Sequence, residues 1–200
     1  MNLLTQNSKI KKTSKYFGVR LFNWTLPAYK SKSRKMICPM AGSCKDFCYA
    51  RKGAYIWSNV NKAHEERYAF SKTDDFVPAM IAEIKRKRAD YIRVHDSGDY
   101  YSPAYMAKWF AIADALPHVR FYSYTNMVDL VQRSHVPDNF DFIFSDSGKQ
   151  SHLINPSIHR HTKIFSVGSD LGDYINASEY DLYATKWFSP DNHKVGLVYH

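Results

Sequence analysis

Strand-like and helix-like segments alternate along most of the chain, and this alternation restricts the fold more than any other feature. Six short segments rich in aromatic and β-branched residues predict strands, with helical or polar stretches between them. Strands joined by such crossovers pair in parallel, so the pattern predicts an α/β fold with a mostly parallel sheet. The six predicted strands are Phe17–Trp24, Tyr91–His95, Val119–Tyr124, Phe140–Phe144, Thr162–Val167 and Val195–Tyr199.

The helix between the second and third predicted strands has the clearest limits. Ser102 is a favourable N-cap, Pro103 suits the first helical position, and Pro117 follows the end of the apolar pattern. Helical spacing also predicts a helix over Ile56–Phe70 and another that begins near Thr73.

Small polar and acidic residues follow each internal strand. In parallel sheets and barrels the ligand site lies at the carboxyl ends of the strands, so these loops are expected to converge on one polar pocket. The alternative is that Ser, Gly and Asp are common turn residues anywhere. The four loops are 95–99, 123–126, 145–148 and 166–170.

Size and charge favour one basic domain. The chain has 200 residues, which predicts a single domain over 1–200, and a formal net charge of +9. Residues 1–45 hold ten Lys or Arg and no Asp or Glu. A basic N-terminal extension, 1–15, is therefore expected either to meet an anionic partner such as nucleic acid or to be a solvated tail. Its four lysines are Lys9, Lys11, Lys12 and Lys15, and four more basic residues precede the first cysteine: Lys30, Lys32, Arg34 and Lys35.

No apolar run is long enough for a transmembrane helix or a signal peptide. We therefore expect a soluble, cytoplasmic protein without a membrane partner. The chain also lacks the GxGxxG, P-loop and GxSxG motifs, which argues against nicotinamide binding, ordinary nucleotide hydrolysis and a serine hydrolase.

Three cysteines carry the strongest chemical signal. Cys38, Cys44 and Cys48 lie in one loop, 36–50, with the spacing C-x5-C-x3-C, and no cysteine elsewhere can pair with them across the chain. Three such thiolates can hold three irons of a 4Fe-4S cluster and leave the fourth iron open for a ligand. Zinc with a fourth ligand such as His64 or His95 is the chief alternative, and thiols without metal are another.

The segments around these cysteines resemble a known family. LFNWTLPAYKS, CPMAGSCKDFCYARKGAYIWSNV and IRVHDSGDYYS, within residues 17–99, resemble the bacteriophage "gene product 88" family of three-cysteine proteins, and the likeness continues through FYSYT. This resemblance implies a viral origin, hence the cytoplasm of a host cell, and little about activity.

A more distant resemblance is to radical S-adenosylmethionine enzymes, which implies a partial (βα)6 barrel. In those enzymes a three-cysteine loop follows the first strand, and a glycine-bearing motif after the second strand binds the methionine amino group. By this resemblance the three cysteines hold the cluster, Phe47 takes the aromatic position before the last cysteine, and Ser97, Gly98 and Asp99 bind the amino group. The usual spacing is C-x3-C-x2-C, so both gaps here are longer, which weakens the radical mechanism more than cluster binding.

Further candidates come from the strand ends. His95 is a candidate acid or base, or a buried hydrogen-bonded histidine. Asp96 and Asp99 are expected to accept hydrogen bonds from a ligand or to act as a base, and otherwise to cap a turn. Tyr124 and Thr125 are expected to contact adenine or simply to pack.

Two other histidines are less informative. His64 lies beside Glu65 and Glu66, which favours a solvated helix face. His200 either points into the barrel or ends the chain.

The sequence therefore predicts an iron–sulfur enzyme that binds S-adenosylmethionine or a similar small ligand at an open iron, with radical chemistry as the first hypothesis. The first alternative is the same cluster acting as a Lewis acid in a hydrolase, lyase or sulfur-transfer enzyme. The second is a protein, stabilised by zinc or a cluster, whose basic N-terminal face binds nucleic acid.

Overall fold

The structure, a computed structural model, describes residues 2–199, and His200 lies outside them. The described elements follow one another as helices and strands with few interruptions. In chain order they are α1 (Ser8–Phe17), β1 (Leu21–Trp24), α2 (Cys44–Phe47), α3 (Ser58–Phe70), α4 (Phe76–Lys87), β2 (Tyr91–Val94), α5 (Pro103–Asp114), β3 (Arg120–Thr125), α6 (Val128–Gln132), β4 (Phe140–Ser145), β5 (His161–Ser166), β6 (Ile175–Asn176) and β7 (Lys194–Tyr199).

The strands form one curled, all-parallel sheet that closes about half a barrel, in the order β1-β2-β3-β4-β5-β7-β6. The α/β class and the partial barrel are confirmed. The described sheet has seven strands rather than the predicted six, because β6 pairs with the edge of β7 through Ile175 and Asn176 alone. Two residues are too few to show the alternation by which a strand is recognised in a sequence.

The predicted limits of α5 are also found. The Ser102 side chain accepts a hydrogen bond from the Tyr105 backbone N–H at 3.2 Å, and Pro103 is the first helical residue. A proline at this position loses no helical hydrogen bond, since the first N–H groups have no partner within the helix.

Alternate residues of the strands face two separate cores. On the outer face, Ile92 and Phe121 pack with Phe76 and Met80 of α4 and with Trp109 of α5, all essentially buried. On the inner face, Leu21, Tyr122 and Val195 pack with Ile10 of α1 and with Leu182. The helix α1 and the segment 177–188 therefore cover the inner face, opposite α4 and α5.

The predicted basic extension, 1–15, is mostly this helix. Asn7 caps it by accepting a hydrogen bond from the Ile10 N–H at 2.8 Å, and Ile10 and Thr13 are buried. Lys9 lies 2.7 Å from the carboxylate of Asp181, and Lys12 pairs with Glu179. The expectation of a solvated basic tail is thus corrected, because an apolar stripe among the lysines anchors the segment to the sheet.

The predicted cysteine loop, 36–50, contains local helical structure. Cys44–Phe47 forms the single turn α2, and a 3₁₀ turn follows at Tyr49–Arg51. Within residues 2–199, no helix is long and apolar enough to cross a membrane.

Candidate functional site

A cavity of about 610 Å³ lies at the carboxyl edge of the sheet. Three of the four predicted loops contribute to its wall, together with the cysteine segment and the first residues of α1. The loop after β5 is not in the wall, and β5 contributes Thr162 and Ile164 instead. The wall residues named in the sequence predictions are Cys38, Cys44, Phe47, Cys48, His95, Asp96, Ser97, Gly98, Asp99 and Tyr124.

Backbone contacts hold the cysteine segment over this edge. The N–H groups of Ile37 and Cys38 donate to the Tyr29 carbonyl at 2.8 and 3.2 Å, and the Lys149 N–H donates to the Met40 carbonyl at 2.9 Å. A Cβ on Gly42 would lie 2.4 Å from the Ser147 carbonyl oxygen. Only glycine allows the segment to approach the loop after β4 this closely.

The three thiols share this wall and influence one another. Burial raises the pKa of each thiol. The pKa of Cys38 is raised most, by burial first and then by the charges of Asp99, Cys48 and Cys44. The Asn126 side-chain amide lies 3.7 Å from the sulfur of Cys44 and favours its ionised form. Ionised together, the three thiolates would repel one another, and a bound cation would offset that repulsion.

A single metal ion has no ready-made set of ligands here. Within residues 2–199, no three side chains of His, Cys, Asp or Glu form a group that could hold one ion. His64, expected on a solvated face, is only 6% exposed and packs near Tyr55, with ring centroids 6.0 Å apart. Burial, with a smaller effect of Arg67, lowers its pKa to about 4.

The turn after β2 requires its glycine. Gly98 has a φ of +89°, and a Cβ there would lie 2.6 Å from the Cβ of Leu26. The Leu26 N–H donates to the Ser97 carbonyl at 2.9 Å, so the turn packs tightly on the segment after β1. The hydroxyl of Ser97 is buried and has no hydrogen-bond partner among the described residues. It is a polar wall group whose bonding is incomplete.

Asp99 is fully engaged by the neighbouring loop. One carboxylate oxygen accepts from the Thr125 hydroxyl at 2.6 Å and from the Tyr100 N–H at 2.8 Å, and the other accepts from the Asn126 N–H at 3.0 Å. Burial raises the pKa of Asp99, and these hydrogen bonds partly offset that rise. Asp99 and Thr125 therefore join the ends of β2 and β3 and place Asn126 near Cys44.

His95 has the geometry of a buried hydrogen-bonded histidine. Its Nε2 lies 2.9 Å from the Tyr105 hydroxyl, and its ring meets Tyr100 edge-on at 4.5 Å. Because the Tyr105 oxygen already accepts from Trp24 Nε1 at 2.9 Å, its own proton is available to His95. Burial, and to a lesser degree Arg93, lowers the pKa of His95 to about 3, so the ring is neutral. Its backbone φ of +68° is rare for a residue other than glycine.

Asp96 faces the cavity and lies among donors. One carboxylate oxygen accepts from the Asn7 amide at 2.7 Å and lies 3.8 Å from an Arg93 nitrogen. The other oxygen accepts from the Tyr55 hydroxyl, and the Tyr49 hydroxyl donates to the Asp96 carbonyl. Burial and then the charge of Asp96 raise the pKa of both tyrosines. The two phenols are therefore proton donors at neutral pH.

A buried ion cluster, absent from the sequence predictions, lies deeper on the inner face. Arg93 lies 3.0 Å from one oxygen of Asp181, which also accepts from the Tyr122 hydroxyl at 2.7 Å. Lys9 lies 2.7 Å from the other oxygen, and the Arg93 guanidinium covers the Tyr124 ring at 4.9 Å. Burial opposes ionisation of Asp181, but Arg93 and Lys9 outweigh it and lower its pKa to about 2.

One signal in the sequence could have indicated this cluster. Arg93 stands in the middle of a predicted strand, YIRV, where a charge is expected only with a buried partner. Its partner Asp181 is 88 residues away. No local pattern identifies Asp181, because the two meet only when the segment 177–188 folds back over the sheet.

The chain is similar to phage proteins. The family model described as Gene product 88 matches residues 1–197. The "Gene 88 protein" of Mycobacterium phage L5 is 28% identical over 122 residues, which cover 54% of this chain and 51% of that protein. The "Gene 88 protein" of Mycobacterium phage D29 is 26% identical over 102 residues, covering 45% and 42%. The matches thus span about half or less of these relatives. No solved structure matches the chain.

Proposed function

This chain belongs to the Gene product 88 family, and we propose that it is an iron–sulfur protein with an enzymatic site. Cys38, Cys44 and Cys48 would hold three irons of a 4Fe-4S cluster, and the fourth iron would face the cavity. The ligand would be S-adenosylmethionine or a similar small molecule. The observation that carries the proposal is that all three thiols lie in the wall of one cavity at the carboxyl edge of a parallel half-barrel.

The chemistry of the donor set supports a cluster over a single ion. Thiolates are the usual ligands of iron–sulfur clusters. Each iron occupies its own corner of the cube, so the sulfurs that bind them lie further apart than the ligands of one zinc ion. Three thiols in the wall of one cavity are the donor type that such a cluster needs.

The cavity suits a ligand beside those thiols. Its volume of about 610 Å³ is in the usual range for sites that bind small organic molecules. The unpartnered Ser97 hydroxyl and the tight turn at Gly98 support the assignment of 97–99 to the polar end of the ligand. Asp99 would act mainly as a positioning residue, through Asn126.

Each residue has a defined task in this proposal. The cluster, when bound, would supply an electron or a Lewis-acidic iron. Asp96 is a carboxylate of the wall whose two oxygens accept from the Asn7 amide and the Tyr55 hydroxyl, and the Tyr49 hydroxyl donates to its carbonyl.

Anaerobic purification followed by iron, sulfide and zinc analysis tests the cluster. We expect about four irons and four sulfides per chain and broad visible absorption that bleaches with dithionite. Cys44→Ser should lose iron, whereas Ser43→Ala, an exposed neighbour in the same segment, should keep it. A colourless protein with one zinc, or equal iron in both variants, would refute the proposal.

Adding S-adenosylmethionine to the reduced protein tests the open iron. We expect the electron paramagnetic resonance signal to change, because a ligand on the fourth iron alters its coordination. Turnover only in the presence of a reductant would support radical chemistry, and turnover without one would support the Lewis-acid alternative. An unchanged signal would contradict an iron that is open to this ligand.

A further inference from the structure

The positive charge of the chain is concentrated in one stretch. Residues 30–62 contain eight basic residues and one acidic residue, Asp46, within a chain whose net charge is +9. Outside this stretch the charges nearly balance. The basic residues are Lys30, Lys32, Arg34, Lys35, Lys45, Arg51, Lys52 and Lys62.

Much of this charge is not neutralised by the fold. Lys30, Lys32, Arg34 and Lys35 are exposed, and none of the four forms an ion pair within residues 2–199. In contrast, Lys9 and Lys12 of α1 are each paired with a carboxylate. The unpaired positive charge is therefore densest before the cysteine segment, whereas on α1 only Lys11 and Lys15 are exposed and unpaired. Four exposed lysines and arginines within six residues, 30–35, would repel one another, so an anion bound there lowers their energy.

The same surface borders the cavity. Both Lys30 and Arg51 lie over the Tyr29 ring: the Lys30 Nζ is 5.3 Å and the Arg51 guanidinium carbon 5.7 Å from its centroid. Tyr29 belongs to the cavity wall. A hydrogen bond of 2.7 Å from the Lys32 N–H to Glu65 attaches the stretch to α3. The stretch that carries the basic groups therefore adjoins the cavity wall through Tyr29 and is attached to α3 through Lys32.

Exposed flat and apolar side chains accompany the charges. Trp57 and Ile56 are each 62% exposed. Ile56 and Trp57 directly follow Tyr55, which lies in the cavity wall. Trp57 and the basic stretch 30–35 each adjoin a wall residue of the same cavity, Tyr55 and Tyr29 respectively. An exposed tryptophan supplies a stacking face, and the unpaired cations supply phosphate contacts. An acidic peptide would use the charges but not the flat face.

We propose that this surface, formed by Lys30, Lys32, Arg34, Lys35, Ile56 and Trp57 and here called the basic rim, binds single-stranded nucleic acid. The lysines contact phosphates and a base stacks on Trp57. A duplex is the poorer ligand, because its bases are already stacked inside the helix and cannot reach Trp57. The inference does not depend on the cluster, since none of these residues binds iron.

Fluorescence anisotropy with a labelled 20-nucleotide oligothymidylate tests the rim. We expect salt-sensitive binding, and Lys32→Ala with Lys35→Ala should reduce the slope of log affinity against log salt by about 1.4. Lys11→Ala with Lys15→Ala is the matched control, because these two lysines of α1 are also exposed and unpaired. The control should bind like the wild type. A larger loss of affinity in the control variant than in the Lys32→Ala, Lys35→Ala variant would place the binding site on α1 and overturn the inference.

Trp57→Ala tests the stacking contact separately. We expect its affinity to fall by about 5- to 150-fold with the salt slope unchanged, because stacking carries no charge. The urea midpoint of each variant checks that it is folded. If a duplex or polyglutamate binds as tightly as the oligonucleotide, or if Trp57→Ala has no effect on affinity, the inference is overturned. The rim would then be a non-specific basic surface. Iron content measured on the same samples keeps this result separate from the cluster proposal.

Discussion

Replacement of Asp181 by asparagine should strongly destabilise the protein. Asp181 is fully buried, and Arg93 and Lys9 lie 3.0 and 2.7 Å from its two oxygens. The variant leaves the buried Arg93 with only Asp96 at 3.8 Å. Removing one partner of a buried ion pair typically costs about 3–5 kcal/mol, a large share of the stability of a domain.

The pH dependence of stability gives a second estimate of what Asp181 contributes. The pKa of Asp181 falls from 3.8 to about 2 on folding. At about 1.4 kcal/mol per pKa unit, this shift contributes about 2 kcal/mol to stability. Because the folded-state pKa is the lower one, the contribution is complete above pH 3.8 and is lost as the pH falls through about 2. The stability gap between wild type and Asp181→Asn should therefore narrow below pH 4.

Urea unfolding followed by tryptophan fluorescence, from pH 7 to pH 2.5, measures this gap. Asp90→Asn is the control, since Asp90 also pairs with an arginine, Arg20, at 2.7 Å, but at the surface where solvent screens the pair. The free energy of unfolding of Asp90→Asn should fall much less, relative to wild type, than that of Asp181→Asn. If Asp181→Asn is too unstable to study, Asp181→Leu combined with Arg93→Met should recover much of the stability, because apolar groups can replace a buried pair. A gap under about 1 kcal/mol at pH 7, or one independent of pH, would refute the reasoning.

Two further predictions concern the wall of the cavity. Gly98→Ala should cost about 2–4 kcal/mol in urea unfolding, from the left-handed backbone and the close contact with Leu26. Gly53→Ala, with a φ of +54° but open space around it, should cost clearly less, and equal losses would mean that the contact is unimportant. In the metal-free protein, Cys38 should react with iodoacetamide more slowly than Cys48 at pH 8, because burial and Asp99 raise the pKa of its thiol most. Mass spectrometry of the alkylated peptides measures both rates, and faster reaction of Cys38 would contradict the placement of the segment.

Several parts of the site could be predicted because they are local. The three cysteines lie within eleven residues, so they had to enter one wall together. The loop 95–99 follows a strand that the sequence already marks, and parallel pairing brings its end beside that of β3. The hydrogen bonds of His95, Thr125 and Asp99 could not be predicted in the same way, because their partners lie on other elements.

The histidine at position 64 illustrates this limit. Its neighbours Glu65 and Glu66 are typical of a solvated face, yet the side chain is buried. Helical periodicity assigns a face to a residue only when the apolar stripe is clear, and α3 has almost none. Packing against other elements, such as the contact with Tyr55, decides its environment rather than the helix itself.

By itself the sequence determined the α/β class, the parallel pairing of its strands, the capped ends of α5 and the grouping of the three thiols. These follow from side-chain periodicity, turn chemistry and spacing, which act over a few residues. Only the tertiary structure decided that α1 packs on the inner face and that Lys9 and Arg93 share Asp181. Such pairings depend on which distant segments fold over the same face of the sheet, and no local pattern encodes that.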